Sequence, residues 1–208
     1  MLSILYNLVS KTTRRTLEIP SRGLPKPQSS REPFDEIFDV QTSGVVWWTN
    51  VCSENFIHGI RYEPCSPRAC KWAIEQSGID PREFAFIDIG CGKGRSLIIA
   101  AEYDFAELIG VEYSPRLCKI ATANLEKLHI PARIAREDAS RFTFPERDIF
   151  AFFYHPFGAP VLNRVLNNLR VGTRIVVAYE GAGRNIVRQS GWLKSSGTMG
   201  DTELFRNF

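Results

Sequence analysis

The sequence predicts one α/β domain: a mostly parallel, seven-stranded sheet with helices on both faces and an antiparallel strand at its C-terminal end. Three observations lead there. Short apolar runs alternate with helix-period segments from residue 66 onward, the pattern of parallel strands joined by crossover helices. The runs Phe84–Ile89 and Ile149–Tyr154 are apolar almost throughout, as strands covered on both faces require. The tail then carries turn signals at Ser196-Gly197 and Met199-Gly200, so that Trp192–Ser195 and Thr202–Phe205 can pair as a closing hairpin. A length of 208 residues suits one such domain plus a short extension, and 44% hydrophobic residues against 24% charged are enough for a sizeable core.

The extension is residues 1–33. Residues 1–31 carry six Lys/Arg against Glu18 alone, while the remainder of the chain sums to −2. A nearly neutral body argues against a broad nucleic-acid-binding face. The apolar start, Leu2 to Val9, has its positive charges after it, the wrong order for a signal peptide, and is too short to span a membrane. A short docked helix or a surface-lying amphipathic one both fit. Pro20, Pro25, Pro27 and Pro33 with Gly23 give residues 17–33 a linker composition. The domain is expected to occupy residues 34–208.

Within it, Ser66-Pro67 reads as a cap and first-turn proline, and Gly78 ends that helix. The first strand, Phe84–Ile89, runs into a glycine-rich turn and a helix over Ser96–Tyr103. Leu108–Glu112 is the second strand, and Ser114-Pro115 starts a helix reaching Leu128. Arg133–Arg136 and Ile149–Tyr154 read as the third and fourth strands, Val161–Leu169 as a helix and Thr173–Tyr179 as the fifth strand.

The chemistry concentrates where these strands end. Asp88 precedes Gly90, Gly92 and Gly94, and glycines there let the chain turn through positive φ and let a ligand approach bare backbone. A dinucleotide fold would place its third glycine at 95, which is Arg95. The Asp88 carboxylate also suits a cationic amino-acid tail better than a pyrophosphate. Glu112 ends the second strand, where an acid can accept both hydroxyls of a ribose. Asp138, followed by Ala139, closes the third strand, where a carboxylate can accept a hydrogen bond from an adenine amine.

Phe86-Ile87-Asp88-Ile89-Gly90-Cys91-Gly92-Lys93-Gly94-Arg95, with Ile109-Gly110-Val111-Glu112-Tyr113-Ser114, resembles motif I and the following acidic motif of class I S-adenosylmethionine-dependent methyltransferases. With Arg61-Tyr62-Glu63-Pro64 upstream, it is similar to small bacterial methyltransferases related to the Dot1-type lysine-methyltransferase branch. The resemblance covers residues 34–180 and implies a Rossmann-like methyltransferase fold with S-adenosyl-L-methionine as cofactor. It implies that Asp88, Gly90 and Gly94 contact the methionine part, Glu112 the ribose and Asp138 the adenine, with Cys91, Gly92, Tyr113 and Ala139 also at the cofactor. Tyr62 and Glu63 would fold over the cofactor or border the acceptor channel.

The fourth strand runs into His155-Pro156-Phe157, where these relatives carry Asn-Pro-Phe. A histidine there can align a nitrogen or accept its proton, and can equally be structural. Phe157 can stack on an acceptor or pack in the core. The expected reaction is N-methylation of a protein or small molecule, with nucleic acid disfavoured as acceptor. A catalytically inactive cofactor-binding scaffold and an NAD-dependent oxidoreductase are the alternatives.

Other features are given structural readings. Trp47-Trp48 suits a lid or core position, and Cys91 a small filler inside the turn. Five cysteines, an odd number without short paired spacing, fit a reducing cytoplasm and no metal centre.

Overall fold

The computed structural model describes residues 32–44 and 62–208. The basic segment and Trp47-Trp48 lie outside the described residues. Seven strands form one sheet: β1 (Ala85–Ile89), β2 (Glu107–Glu112), β3 (Ala132–Arg136), β4 (Ile149–Tyr154), β5 (Ile175–Glu180), β6 (Lys194–Met199) and β7 (Thr202–Arg206). Their order is β3-β2-β1-β4-β5-β7-β6. The first five are parallel, β7 runs antiparallel to β5, and β6 antiparallel to β7. Strand order reverses between β1 and β4, and a crevice outside the carboxyl ends at such a switch point is where open α/β sheets bind ligands.

Six α-helices surround the sheet among the described residues: α1 (Pro33–Phe38), α2 (Pro67–Gln76), α3 (Arg95–Ala100), α4 (Pro115–Lys127), α5 (Ala159–Asn168) and α6 (Arg184–Arg188). The two Ser-Pro starts behave as their chemistry requires. The Ser66 and Ser114 hydroxyls accept from Ala69 and Leu117 N–H, and the prolines occupy first-turn positions that need no donor.

Alternation along the strands divides the core into two layers. On one face Phe86, Phe150, Phe152 and Val176 meet Phe34 and Phe38 of α1, Ala73 and Ile74 of α2, and Leu97 of α3. Phe86 stacks on Phe150 and Phe152 with centroids 5.5 and 6.0 Å apart. On the other face Ile87, Ile89, Val111, Phe153 and Tyr179 meet Val161, Leu162 and Val165 of α5. With both faces covered, the central strands must be apolar at every position, which is why they read as unbroken runs.

The tail departs from the expectation at one point. Met199-Gly200 turns as foreseen, but Ser196-Gly197 lies inside β6, where the register with β7 shifts between Ser195 and Gly197. A small residue in an exposed edge strand marks a bulge as readily as a turn. Helix α6, five residues between glycine-rich and polar turns, gives no periodic signal and was not expected. No described helix is long and apolar enough to cross a membrane.

Candidate functional site

The turn after β1 is held by its neighbour. Gly90 and Cys91 N–H donate to the Val111 carbonyl at 2.8 and 3.1 Å, so the loop cannot lift away from β2. Gly90, Gly92 and Gly94 have φ of 88°, 55° and 83°, the left-handed region that side chains resist. At Gly92 a second constraint applies: a Cβ would lie 2.2 Å from Cε2 of Tyr62. The Tyr62 ring therefore lies directly on the turn. Cys91 is buried beneath it, and burial, then the charges of Asp88 and Glu112, push its thiol far up. A thiol so buried suits a small filler better than a nucleophile. Cys65, Cys70, Cys91 and Cys118 are all free and buried.

Asp88 and Glu112 flank the turn from beneath. Asp88 is buried and receives the Ser96 hydroxyl. Burial, reinforced by the charge of Glu112 and opposed by Ser96, pushes its pKa up to about 7. Among the described residues, its neighbours in that balance are a hydroxyl and another carboxylate. Glu112, at the carboxyl end of β2, accepts Gly92 N–H at 3.0 Å on one oxygen and Ser114 N–H at 2.7 Å on the other. Burial raises its pKa too, against the pull of these N–H groups and that of Tyr113. Those three N–H groups draw on three of the carboxylate's four acceptor directions and leave one for a ligand hydroxyl. Tyr113 is exposed beside it.

Asp138 lies two residues beyond β3, on the same sheet edge, and accepts Ser140 N–H at 2.9 Å. Ala139 packs against the second core layer.

On the β4 side a small open pocket lies among Asp88, Gly90, Ser96, Tyr62, Glu63 and Tyr154. Its wall, residues 62–65, rests on a buried polar cluster that sequence reading missed. The Tyr62 hydroxyl donates to the Thr42 carbonyl. Arg95, 4% exposed, donates Nε–H to Thr42 Oγ1 at 2.8 Å and its terminal nitrogens to Glu32 and the Cys65 carbonyl. Asp35 accepts both the N–H and the hydroxyl of Thr42 and the N–H of Ser43. Burial acts against the Asp35 carboxylate, but those donors outweigh it and hold its pKa below the usual range. Nearby, Asn124 clasps the backbone of Gln41 and accounts for the Lys93 carbonyl.

β4 hands the chain to His155, whose φ of 46° is left-handed. Its N–H donates to the Glu180 carbonyl at 2.8 Å, and its Nε2 stands 3.9 Å from the Glu180 carboxylate. That carboxylate is fixed in turn by the Thr202 hydroxyl. Pro156 follows, close enough that a Cβ on Gly90 would meet its Cβ at 3.6 Å. Phe157 is half-buried, edge-on to Phe153 at 6.5 Å. The loop after β4 thus adjoins the glycine turn. Among the described residues, no cluster of three or more His, Cys, Asp or Glu could hold a metal ion.

Residues 86–172, from β1 through α5, match the family model of a methyltransferase domain. That stretch includes the glycine turn, all three strand-end acids and His155. No curated protein matches the sequence. Among solved structures the chain resembles an RNA methyltransferase from Salinibacter ruber in complex with S-adenosyl-L-homocysteine, at 18% identity over 69% of this chain and 91% of that one, TM-score 0.51. It also resembles a Pyrococcus horikoshii OT3 protein (12% identity, 67% and 87% covered, TM-score 0.53). A third is the ribosomal protein L11 methylase of Lactobacillus delbrueckii subsp. bulgaricus (14%, 67% and 75%, TM-score 0.51). The fold is the Rossmann-like methyltransferase fold, and the segment bearing the candidate site is the part that matches a methyltransferase domain.

Proposed function

We propose that the chain is a class I S-adenosylmethionine-dependent methyltransferase acting on a nitrogen of a protein or small-molecule acceptor, with residues 34–208 as the catalytic domain. The observation that carries this reading is Glu112: a buried carboxylate at the end of β2, tied by Gly92 N–H to the glycine turn, with acceptor capacity left for a ribose hydroxyl. The chemistry around the turn fits the rest of such a cofactor. Asp88 is a buried carboxylate whose balance holds a hydroxyl and a second carboxylate, suited to an α-ammonium group, and Gly90 beside it keeps bare backbone against Pro156. Asp138 and Ala139 would border the adenine, with Tyr113 beside the ribose. The proximity of Tyr62 to Gly92 supports the narrower resemblance to small bacterial relatives of the Dot1-type branch, in which Tyr62 and Glu63 border the cofactor.

When bound, the cofactor supplies an already activated methyl group, so the protein's task is alignment and proton removal. In this reading Pro156 and Phe157 shape the acceptor side and His155 takes the proton from the acceptor nitrogen. Glu180 orients the His155 imidazole and answers the charge it gains. Free buried thiols support a reducing, cytoplasmic setting.

Calorimetric titration with S-adenosylmethionine and NAD in parallel tests the proposal. Binding of the first alone is expected. Glu112→Ala should weaken it about 100-fold, the loss of one hydrogen bond to a charged group. Binding of NAD instead would install an oxidoreductase, and binding without transfer to any of a broad acceptor set would leave a scaffold.

A further inference from the structure

The sheet order puts Asp138, Glu112 and the glycine turn in a row along one edge, at the ends of β3, β2 and β1. A nucleoside held toward β3 and β2 leaves the amino-acid end of the cofactor at the β1–β4 side. The pocket beside Asp88, Gly90 and Tyr154 lies there, and its wall is Tyr62–Cys65. That wall has two anchors. One is the Tyr62 hydroxyl on the Thr42 carbonyl; the other is the Arg95 guanidinium on the Cys65 carbonyl at 3.5 Å. The anchors are themselves joined, because Arg95 Nε–H donates to Thr42 Oγ1 at 2.8 Å.

Thr42 is the hub. It is fully buried, and every polar group it has is used: N–H and hydroxyl proton on Asp35, hydroxyl oxygen to Arg95, carbonyl to Tyr62. A buried hydroxyl that accepts from one charge and donates to the other cannot be replaced by a methyl without stranding both. Nothing in the glycine turn itself requires Arg95 to reach residue 42, 53 positions away in sequence. What the reach accomplishes is to lock the segment 32–44 and the pocket wall to the first residue of α3.

We propose that Thr42 and Arg95 are positioning residues that hold the 62–65 wall against the amino-acid end of the cofactor, and so set the affinity contributed by that end. The inference rests on the methyltransferase reading. Its test compares S-adenosylhomocysteine with 5′-methylthioadenosine, which has the same nucleoside and lacks the amino-acid end, by calorimetry on wild type, Thr42→Val, Thr42→Ser and Tyr62→Phe. Thr42→Val should weaken S-adenosylhomocysteine about tenfold and leave methylthioadenosine within about twofold. Thr42→Ser, which restores the hydroxyl, should match wild type for both ligands. Tyr62→Phe removes one anchor and leaves the Asp35–Thr42–Arg95 side-chain bonds in place, and should reproduce the selective loss even if Thr42→Val does not fold. The proposal is overturned if Thr42→Val and Tyr62→Phe keep the wild-type ratio of the two affinities, or if both ligands weaken equally, the mark of a merely structural role. A wild type that binds neither ligand would instead overturn the methyltransferase reading, and this inference with it.

Discussion

Lowering the pH from about 8 to about 6 should weaken S-adenosylhomocysteine binding about tenfold through Asp88 alone. The magnitude follows from the pKa of about 7 that burial, the charge of Glu112 and the Ser96 hydroxyl together give this carboxyl. Around pH 8 roughly nine in ten molecules carry the carboxylate, and around pH 6 roughly one in ten. If the ligand's ammonium group binds only the ionised form, apparent affinity follows that fraction. Near pH 7 binding should then release about half a proton, which calorimetry in buffers of different ionisation enthalpy measures directly. Asp88→Asn should bind more weakly at high pH and release no proton from this site. An unchanged pH slope in Asp88→Asn, or no proton release by the wild type, would refute the assignment of Asp88 to a cationic ligand group.

The same residue has an opposite effect on the unliganded protein. Its folded-state pKa lies above its unfolded one, so between about pH 4 and 7 the native state holds a proton that the unfolded chain has lost. Stability from this group is present below that window and is lost as pH rises through about 7. Asp88→Asn, of nearly the same shape and unable to ionise, should therefore melt higher than wild type at alkaline pH, with the difference vanishing in acid. Ligand affinity and apo stability would move in opposite directions with pH, a signature that general acid denaturation does not produce.

Gly92→Ala should abolish cofactor binding, since its Cβ would stand 2.2 Å from the Tyr62 ring at a φ of 55°; titration calorimetry checks it, and a variant that binds normally would mean the ring is free to move. Asp35→Asn removes one of the two charges facing Arg95, the buried one, and should cost about 3 kcal/mol in chemical denaturation. Because the Asp35 pKa is depressed, that difference should be present above the usual aspartate range and shrink as pH falls through the folded-state value. His155→Ala should lower kcat about 100-fold with the Kd for S-adenosylhomocysteine unchanged, measured once an acceptor is in hand; a matched fall in cofactor affinity would assign His155 to the cofactor instead.

The readable parts of the sequence are those in which local chemistry leaves few alternatives. Strands buried on both faces have to be apolar, so β1 and β4 announce themselves. Glycines at positive φ next to a strand end have to form a turn, and Asp88 and Glu112 follow from the ends of the strands they close. The Asp35–Thr42–Arg95 cluster is invisible by the same logic. Its members are spread over α1, the residues after it and α3, and no periodicity links them. Arg95 reads only as a glycine that is missing. Tyr62 is legible through resemblance alone, because what fixes it is the carbonyl of Thr42 and the bare Cα of Gly92, neither of which leaves a side-chain pattern. Asp138 is legible as an acid that closes a strand, and its local bond could not be read from the sequence. The bond to Ser140 N–H is a capping contact within the turn.

The two buried acids of the turn differ in what surrounds them, and this difference assigns their roles. Glu112 is solvated by backbone N–H groups, rigid donors that stay in place whichever ligand arrives and that aim its free acceptor direction outward. Such a carboxylate suits neutral hydroxyls, which need an acceptor and bring no charge. Asp88 has a single rotatable hydroxyl for company and the like charge of Glu112 nearby. It gains most from a ligand that brings a positive charge, because that charge relieves both the desolvation and the repulsion that raise its pKa. Along the sheet edge the site therefore runs from an acceptor for hydroxyls at β2 to a buried acid at β1. A ligand with a ribose at one end and an ammonium at the other matches that gradient; a dinucleotide would set a pyrophosphate against Asp88, where a second anion would deepen the repulsion it already feels.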